Sequence, residues 1–383
     1  MIRIALLLDF TEEYHKNLLR GIIRYSREKG PWAFLRIPLY YRETIGIEGI
    51  IKHIRSWGAK GLIGQFYDNT DISKFSRAGI SVIAQDFHER IRGVPNISGA
   101  YHETGELGAA YFLKKGFRHF AFYGFKNIVW SRERSEGFEK KIKEAGYKVH
   151  YFEHKKARSM DLWYYKPSVL SRWLKSLPKP VALMACDDNQ ASHISEASKH
   201  AGLRIPEDVA VLGVDNDENI CFLSDPPLSS ISLDIEKGGY DAAKLMNQLL
   251  RKRKKVLNIL IRPVQIVTRA STDIYSTPDV HIITALKFIH ANVDRALHVN
   301  EVVREVPLSR RSLEKRFLQT TGYSVYKYIL NLKLEKFAEQ LELTDKSIAE
   351  IANDLGLINA KNIARQFKQL KGVTPRGYRQ KAS

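Results

Sequence analysis

The chain has 383 residues, of which 44% are hydrophobic and 27% charged. That balance suits a soluble globular protein of two or three domains and leaves no apolar run long enough to span a bilayer. Its only cysteines, Cys186 and Cys221, stand far apart without metal-ligand spacing, which argues against a disulfide scaffold or a zinc site and fits a reducing cytoplasm. The formal net charge of +19 points to a polyanionic partner. It does not say where that partner sits. From Tyr275 to Ser383 there are 18 Lys/Arg against 11 Asp/Glu, so +7 lies there and +12 elsewhere. The basic run from Arg251 to Lys255 reads as a solvated helix end ahead of a phosphate contact.

In chain order, Met1 to Asp9 holds a short apolar run with a charge inside it, which reads as a buried strand and not as a signal peptide. From there to about Ser271, apolar strands alternate with amphipathic helices. The first series predicts a strand at Ile2–Leu8, a helix near Glu12–Lys29, a strand at Trp32–Ile37, a helix near Ile47–Trp57, and strands at Gly61–Gln65 and Ser81–Gln85. The second predicts helices at Gly105–Lys115, Arg134–Ala145, Lys166–Leu177 and Asn189–Ala201. Between them lie strands at Phe120–Tyr123, Lys148–Phe152, Ala182–Ala185 and Ala210–Val214. Continuously apolar strands between helices predict parallel sheets covered on both faces. Ligands bind such sheets at the carboxyl ends of the strands.

The polar residues at those ends are the candidate ligand site: Asp9, Asp86, Asp187, Asp188 and Asp215, with Trp130 and Arg134 opening a helix. Carboxylates and a guanidinium can grip hydroxyls while an indole stacks on the apolar face of a sugar ring. The plainer reading, that an Asp at a strand end caps the next helix, stands beside it. An enzyme is not indicated. No glycine-rich phosphate loop follows a strand, there is no G-x-S-x-G turn or H-E-x-x-H pair, and the histidines are scattered. Neither a catalytic residue, a cofactor nor a metal is assigned.

The C-terminal part repeats a helix-turn-helix pattern, once at about 299–322 and again at about 347–372. The second copy runs through Ile348–Ala352, a turn at Gly356 and Asn362–Lys368. A helix of this kind fits the major groove, and a second copy about one turn away reads the next groove on the same face. In the first copy the groove helix starts at Ser309, an N-cap whose neighbouring N–H groups can also hold phosphate. If Leu313 and Phe317 face inward, four-residue spacing turns Arg310, Arg311, Glu314 and Lys315 outward. The second copy offers Asn359, Lys361, Asn362 and Arg365 in the same way, with Ile363 and Phe367 inside. A long helix at Val325–Leu343 bridges the copies, and paired chains would suit direct repeats.

These stretches resemble known families. Pro206–Asp217, with Pro227–Ile231, Gly239–Leu245 and Gly116–Tyr123, resembles LacI-type sensor domains, which are similar to periplasmic sugar-binding proteins. The C-terminal copies, with Gly372–Arg379 closing them, resemble the AraC type of DNA-binding domain. In this order, without an N-terminal headpiece, the pairing is similar to regulators of xylose operons. The resemblance implies a two-lobed α/β sensor over 1–273 and an all-α domain over 274–383. It implies sugar contacts at Arg134, Asp187 and Asp215, with Asp188 an equal candidate. It also implies a cytoplasmic homodimeric activator that binds double-stranded operator DNA and a small neutral sugar, D-xylose first, and acts with RNA polymerase. A regulator answering another sugar, or a constitutive DNA-binding protein whose sensor only dimerises, stays open. There are two departures. The Asp-Asn pair usual in the family is missing around Ile97–Tyr101, and Leu357 and Ile363 replace aromatics in the second copy, where Ala364 also stands for a small polar residue.

Overall fold

Strands β1 (Ile2–Leu8), β8 (Val181–Ala185) and β9 (Val209–Val214) are apolar along nearly their whole length and almost completely buried. A strand can hide both of its faces only inside a sheet with helices on each side. The computed structural model builds two such sheets, and it describes residues 1–66, 69–154, 166–251, 258–274, 279–344, 346–357 and 360–382. By compactness the chain divides into one unit of residues 1–113 and 118–273 and another of 114–117 and 274–383.

In the first unit, β1 pairs with β2 (Trp32–Pro38) and β3 (Gly61–Gln65). Beyond β3 come β4 (Ser81–Gln85), β5 (Asn96–Gly99) and β11 (Ile259–Ile261), in the parallel order β11-β5-β4-β3-β1-β2. The second sheet runs β12-β10-β9-β8-β6-β7, from β12 (Pro263–Val267) and β10 (Ser229–Leu233) to β6 (His119–Phe125) and β7 (Val149–His154). Only its edge strand β12 is antiparallel among the described pairings. The chain passes between the sheets at Ala100, Asp234 and Arg262. These crossings are tied to one another, because Ala100 N–H donates to Ile261 O at 2.7 Å and Asp234 N–H to Arg262 O at 3.0 Å.

Most predicted elements stand within a few residues of their expected bounds. Several elements were not predicted, among them the helices Glu218–Leu223 and Val280–Ala291. The helix Asn69–Arg77 and the strand β5 are short, and β10–β12 form the return across the lobes. The helix expected from Gly105 begins at Tyr101, and that expected from Arg134 begins at Val129. These earlier starts place Tyr101 and Trp130 within the first turns of their helices. Arg251 closes the helix Ile235–Leu250, while the rest of the basic run, Lys252 to Lys255, lies outside the described residues.

The second unit is helical and has two apolar cores. One gathers Ile282, Leu286, Val302, Leu313, Phe317 and Ile329, and the other Leu334, Phe337, Ile351, Leu355, Ile363 and Phe367. Between them runs the helix Val325–Leu343, which sends its first turns into one core and its later turns into the other. Local signals set the helix starts. Ser309 Oγ accepts from Ser312 N–H at 3.2 Å, and Ser347 and Glu350 form a reciprocal capping box. Leu357 and Ile363, which replace aromatics, pack in the second core.

Candidate ligand cleft and nucleic-acid interface

Asp9 follows β1, Asp187 follows β8 and Asp215 follows β9, so one cleft at the strand ends collects carboxylates from both sheets of the sensor unit. Its lining includes Asp9, Glu12, Tyr14, Gln65, Tyr101, Trp130, Arg134, Asp187, Asn189 and Asp215. Arg134 is the anchor. Only 3% exposed, it donates from one amino group to Cys186 O at 2.5 Å and from the other to Asp215 Oδ1 at 3.3 Å. Its guanidinium carbon lies 5.4 Å from the Trp130 ring and 5.6 Å from the Tyr101 ring. Its Nε has no protein partner, so the cleft holds a buried donor that a ligand hydroxyl or ring oxygen can satisfy.

Asp215 and Asn216 both adopt positive φ, at 102° and 53°. Such backbone costs on the order of 1–3 kcal/mol per residue and persists where the surroundings enforce it. Here they do. Asp215 N–H donates to Ile231 O at 3.0 Å and Asn216 N–H to Ser230 Oγ at 3.0 Å, which turns the Asp215 carboxylate toward Arg134.

The structure separates the seven candidate ligand residues. Asp9, Trp130, Arg134, Asp187 and Asp215 line the cleft. Asp86 and Asp188 do not, and both are corrections. Asp86 is spent beneath the cleft, where its two oxygens accept from Ser98 Oγ at 2.7 Å and Tyr101 Oη at 2.8 Å. Asp188 is buried one residue into its helix and accepts from Ser230 Oγ at 2.6 Å and Asp217 N–H at 2.7 Å. A side chain on Gly213 would collide with the Asp188 carboxylate at 2.1 Å, so glycine is what lets Asp188 sit there. Asp187 serves both readings: it caps the helix Asp188–Ala201 through Gln190 N–H at 2.7 Å and still faces the cleft.

Reasoning from strand ends missed Glu12, Tyr14, His15, Gln65, Gln85, Phe87, Tyr101 and Gln190. Gln65 and Gln85 are themselves the last residues of β3 and β4 and were legible by the same rule. Glu12, Tyr14 and Tyr101 sit at or near helix starts, where nothing in the local pattern distinguishes them. The missing Asp-Asn pair has a counterpart in this geometry, since Ser98 and Tyr101 of that segment hold Asp86.

The cleft's charge is lopsided. Burial, then Asp187, Asp9 and Asp215, push Glu12 up to about 8. Burial raises Asp187 to about 6, and it raises Asp215 against the opposing pull of Arg134. Burial works against the Arg134 cation too, but Asp215 and Tyr101 hold it above its ordinary value. Near neutral pH, Glu12 therefore carries its proton and can donate a hydrogen bond. A folded-state value above the ordinary 4.5 means that the fold binds a proton the unfolded chain gives up. Stability is then full below that ordinary value and is lost as pH rises through about 8. Glu12→Gln should raise Tm by roughly a few degrees near pH 9 and leave it unchanged near pH 4. Thermal unfolding at both pH values measures this. Equal shifts at the two would mean that Glu12 does not titrate in the cleft.

In the helical unit, Leu313, Phe317, Ile363 and Phe367 are buried as the spacing required. Arg311 and Lys315 are exposed on the helix Arg310–Thr321, and Arg365 is exposed on Ala360–Lys371. Arg310 is exposed as well and reaches Asn300 Oδ1 at 3.3 Å. Glu314 departs from expectation. Half-buried, it accepts from Val325 N–H at 3.1 Å and so anchors the start of the bridging helix where base reading was expected. Asn359 lies outside the described residues, as do the side chains of Lys361 and Asn362.

Comparison with known proteins finds two kinds of domain. A periplasmic binding protein-like domain model matches residues 109–272 and a helix-turn-helix domain model matches 302–381. The xylose operon regulatory protein of Escherichia coli K12 is 28% identical over 98% of this chain and 96% of its own length. That of Haemophilus influenzae is 28% identical over 98% of both chains. The chain is a transcriptional regulator, similar over nearly its whole length to xylose operon regulators. A solved xylose-binding transcription activator superposes on the regulator with a TM-score of 0.63 at 26% identity, covering 99% of this chain and 97% of that one. The regulator thus joins a sensor domain to a DNA-binding domain in one chain, and among its described residues no helix is long and apolar enough to cross a membrane.

Proposed function

We propose that the regulator is a cytoplasmic activator that holds a neutral pentose, D-xylose, in the cleft and couples its capture to operator binding. It acts as a homodimer beside RNA polymerase and carries out no chemistry on the sugar. One observation carries this reading. Arg134, with a buried unpartnered Nε and flanked by two aromatic rings, faces Asp9, Glu12, Asp187 and Asp215. Such a set grips hydroxyls and a ring oxygen, while its acidic character opposes a phosphate. The names of the full-length relatives point to the same sugar.

For a ligand to act as a switch it must bind one state better than the other, by about 1–3 kcal/mol. Thermal shift against D-xylose, other pentoses, hexoses and xylose 5-phosphate tests the assignment. D-xylose should raise Tm by several degrees and the phosphate should not. A shift with the phosphate alone would sink the reading, and silence across the panel would favour a sensor that only dimerises. Recovery of unchanged xylose after prolonged incubation checks the absence of chemistry.

On the DNA side, Arg311→Ala should relax sequence preference, since a base-reading arginine supplies about 1–3 kcal/mol of discrimination. Lys315→Ala should weaken all sequences alike and lower the salt slope by about one. Gel shifts over a salt series separate the two. An unchanged ranking of operator variants with Arg311→Ala would remove Arg311 from base reading.

A further inference from the structure

Each reading unit has its own apolar core, and those cores leave open what keeps the units at a set distance. Lys333 lies on the bridging helix where the two cores meet, near Ile329 of the first core and Leu330 and Leu334 of the second. It is 3% exposed, which is unusual for lysine. Its ammonium donates to Arg295 O at 2.7 Å, in the loop before the first unit, and to Leu355 O, in the turn of the second. The residues that follow those two carbonyls touch each other. Gly356, at φ 62°, lies so close to Ala296 that an added Cβ would come within 2.5 Å of its Cα.

One cation thus joins two backbone segments one residue from where they abut. Burial penalises the Lys333 charge, as does Arg295 nearby. The two carbonyl acceptors offset that penalty only while both loops are in place. A helix alone can bend or fray. A buried cation shared by both loops gives the pair of units one preferred arrangement.

We propose that Lys333 is a positioning residue that locks the spacing of the two reading units, and with it the spacing of the DNA sub-sites that the domain accepts. The second clause rests on the reading that both units bind DNA; the first does not. The test is therefore in two parts, on the full chain. Spin labels at Gln319→Cys and Gln369→Cys, both exposed and on the two groove helices, report the distance between units without DNA, and the native cysteines are buried. Lys333→Met, which keeps the length of the side chain and removes the charge, should broaden the distance distribution. Lys333→Arg should keep it narrow. Gly356→Ala should move its mean, because the loops must part.

For the DNA part, the probe is a duplex selected from a random pool by the unaltered chain, then lengthened by one base pair between the two protected grooves. The unaltered chain should lose about tenfold or more in affinity, and Lys333→Met about threefold or less. A distribution as narrow in Lys333→Met as in the unaltered chain would overturn the proposal, as would broadening in Lys333→Arg. Broadening with an unchanged spacing penalty would overturn its second clause. A simple loss of packing would lower Tm without relaxing the spacing preference.

Discussion

Replacing Arg134 with alanine should abolish measurable sugar binding and leave DNA binding intact. The side chain makes one hydrogen bond to the Cys186 carbonyl and an ion pair with Asp215, and it holds a further donor without a protein partner. Its loss strands Asp215 in a buried site among Asp9, Glu12 and Asp187. Truncating one member of a buried charge pair at a binding site costs about 2–5 kcal/mol, or roughly 30-fold to several thousand-fold in affinity. Asp215 and Asp187 should also rise further once the cation that lowers both is gone. Calorimetry on Arg134→Ala decides the matter. Near-native affinity would take Arg134 out of the site. Binding that fails together with DNA affinity and thermal stability would mean that it props up the fold.

A fragment spanning 277–383 should fold and bind operator DNA by itself, about 10²-fold or more below the full chain. Both apolar cores of the helical unit lie within 282–378, so the fragment keeps its own burial. If the sensor pairs two copies as proposed, the fragment loses the second copy and the effective concentration that goes with it. Gel shifts of fragment and full chain at one salt concentration make the comparison, since phosphate contacts make affinity strongly salt-dependent. Equal affinities would show that the sensor contributes no pairing. A fragment without helical circular dichroism would show that the cores need the sensor to fold.

The two expectations draw on different parts of what was legible in the chain. The groove helices were readable because their signals are local. Ser309 caps the N–H of Ser312, three residues on, and four-residue spacing alone commits Leu313 and Phe317 to the core. The same logic was too simple for Glu314, because its partner, the start of the bridging helix, lies eleven residues away and is brought back only by the fold. In the sensor, the parallel sheets could be read from apolar runs, and strand ends pointed to Asp9, Asp187 and Asp215, which line the cleft.

The alternation of strands and helices, the tandem helix-turn-helix units and the set of strand-end carboxylates were all legible in the chain alone. These follow from periodicity and capping, which act over a few residues. Which carboxylates face the cleft was settled by packing between segments far apart in the chain. Asp187 and Asp188 are adjacent and chemically identical, yet one opens on the cleft while the other is tied to Ser230 and Asp217. Asp86 is held by Ser98 and Tyr101, which come from the strand and helix that follow it. A carboxylate's role depends on which donors surround it and whether water can reach it, and both are set by segments distant in the chain. The same holds for Lys333, an ordinary lysine in a helix until the fold brings the carbonyls of Arg295 and Leu355 to its ammonium.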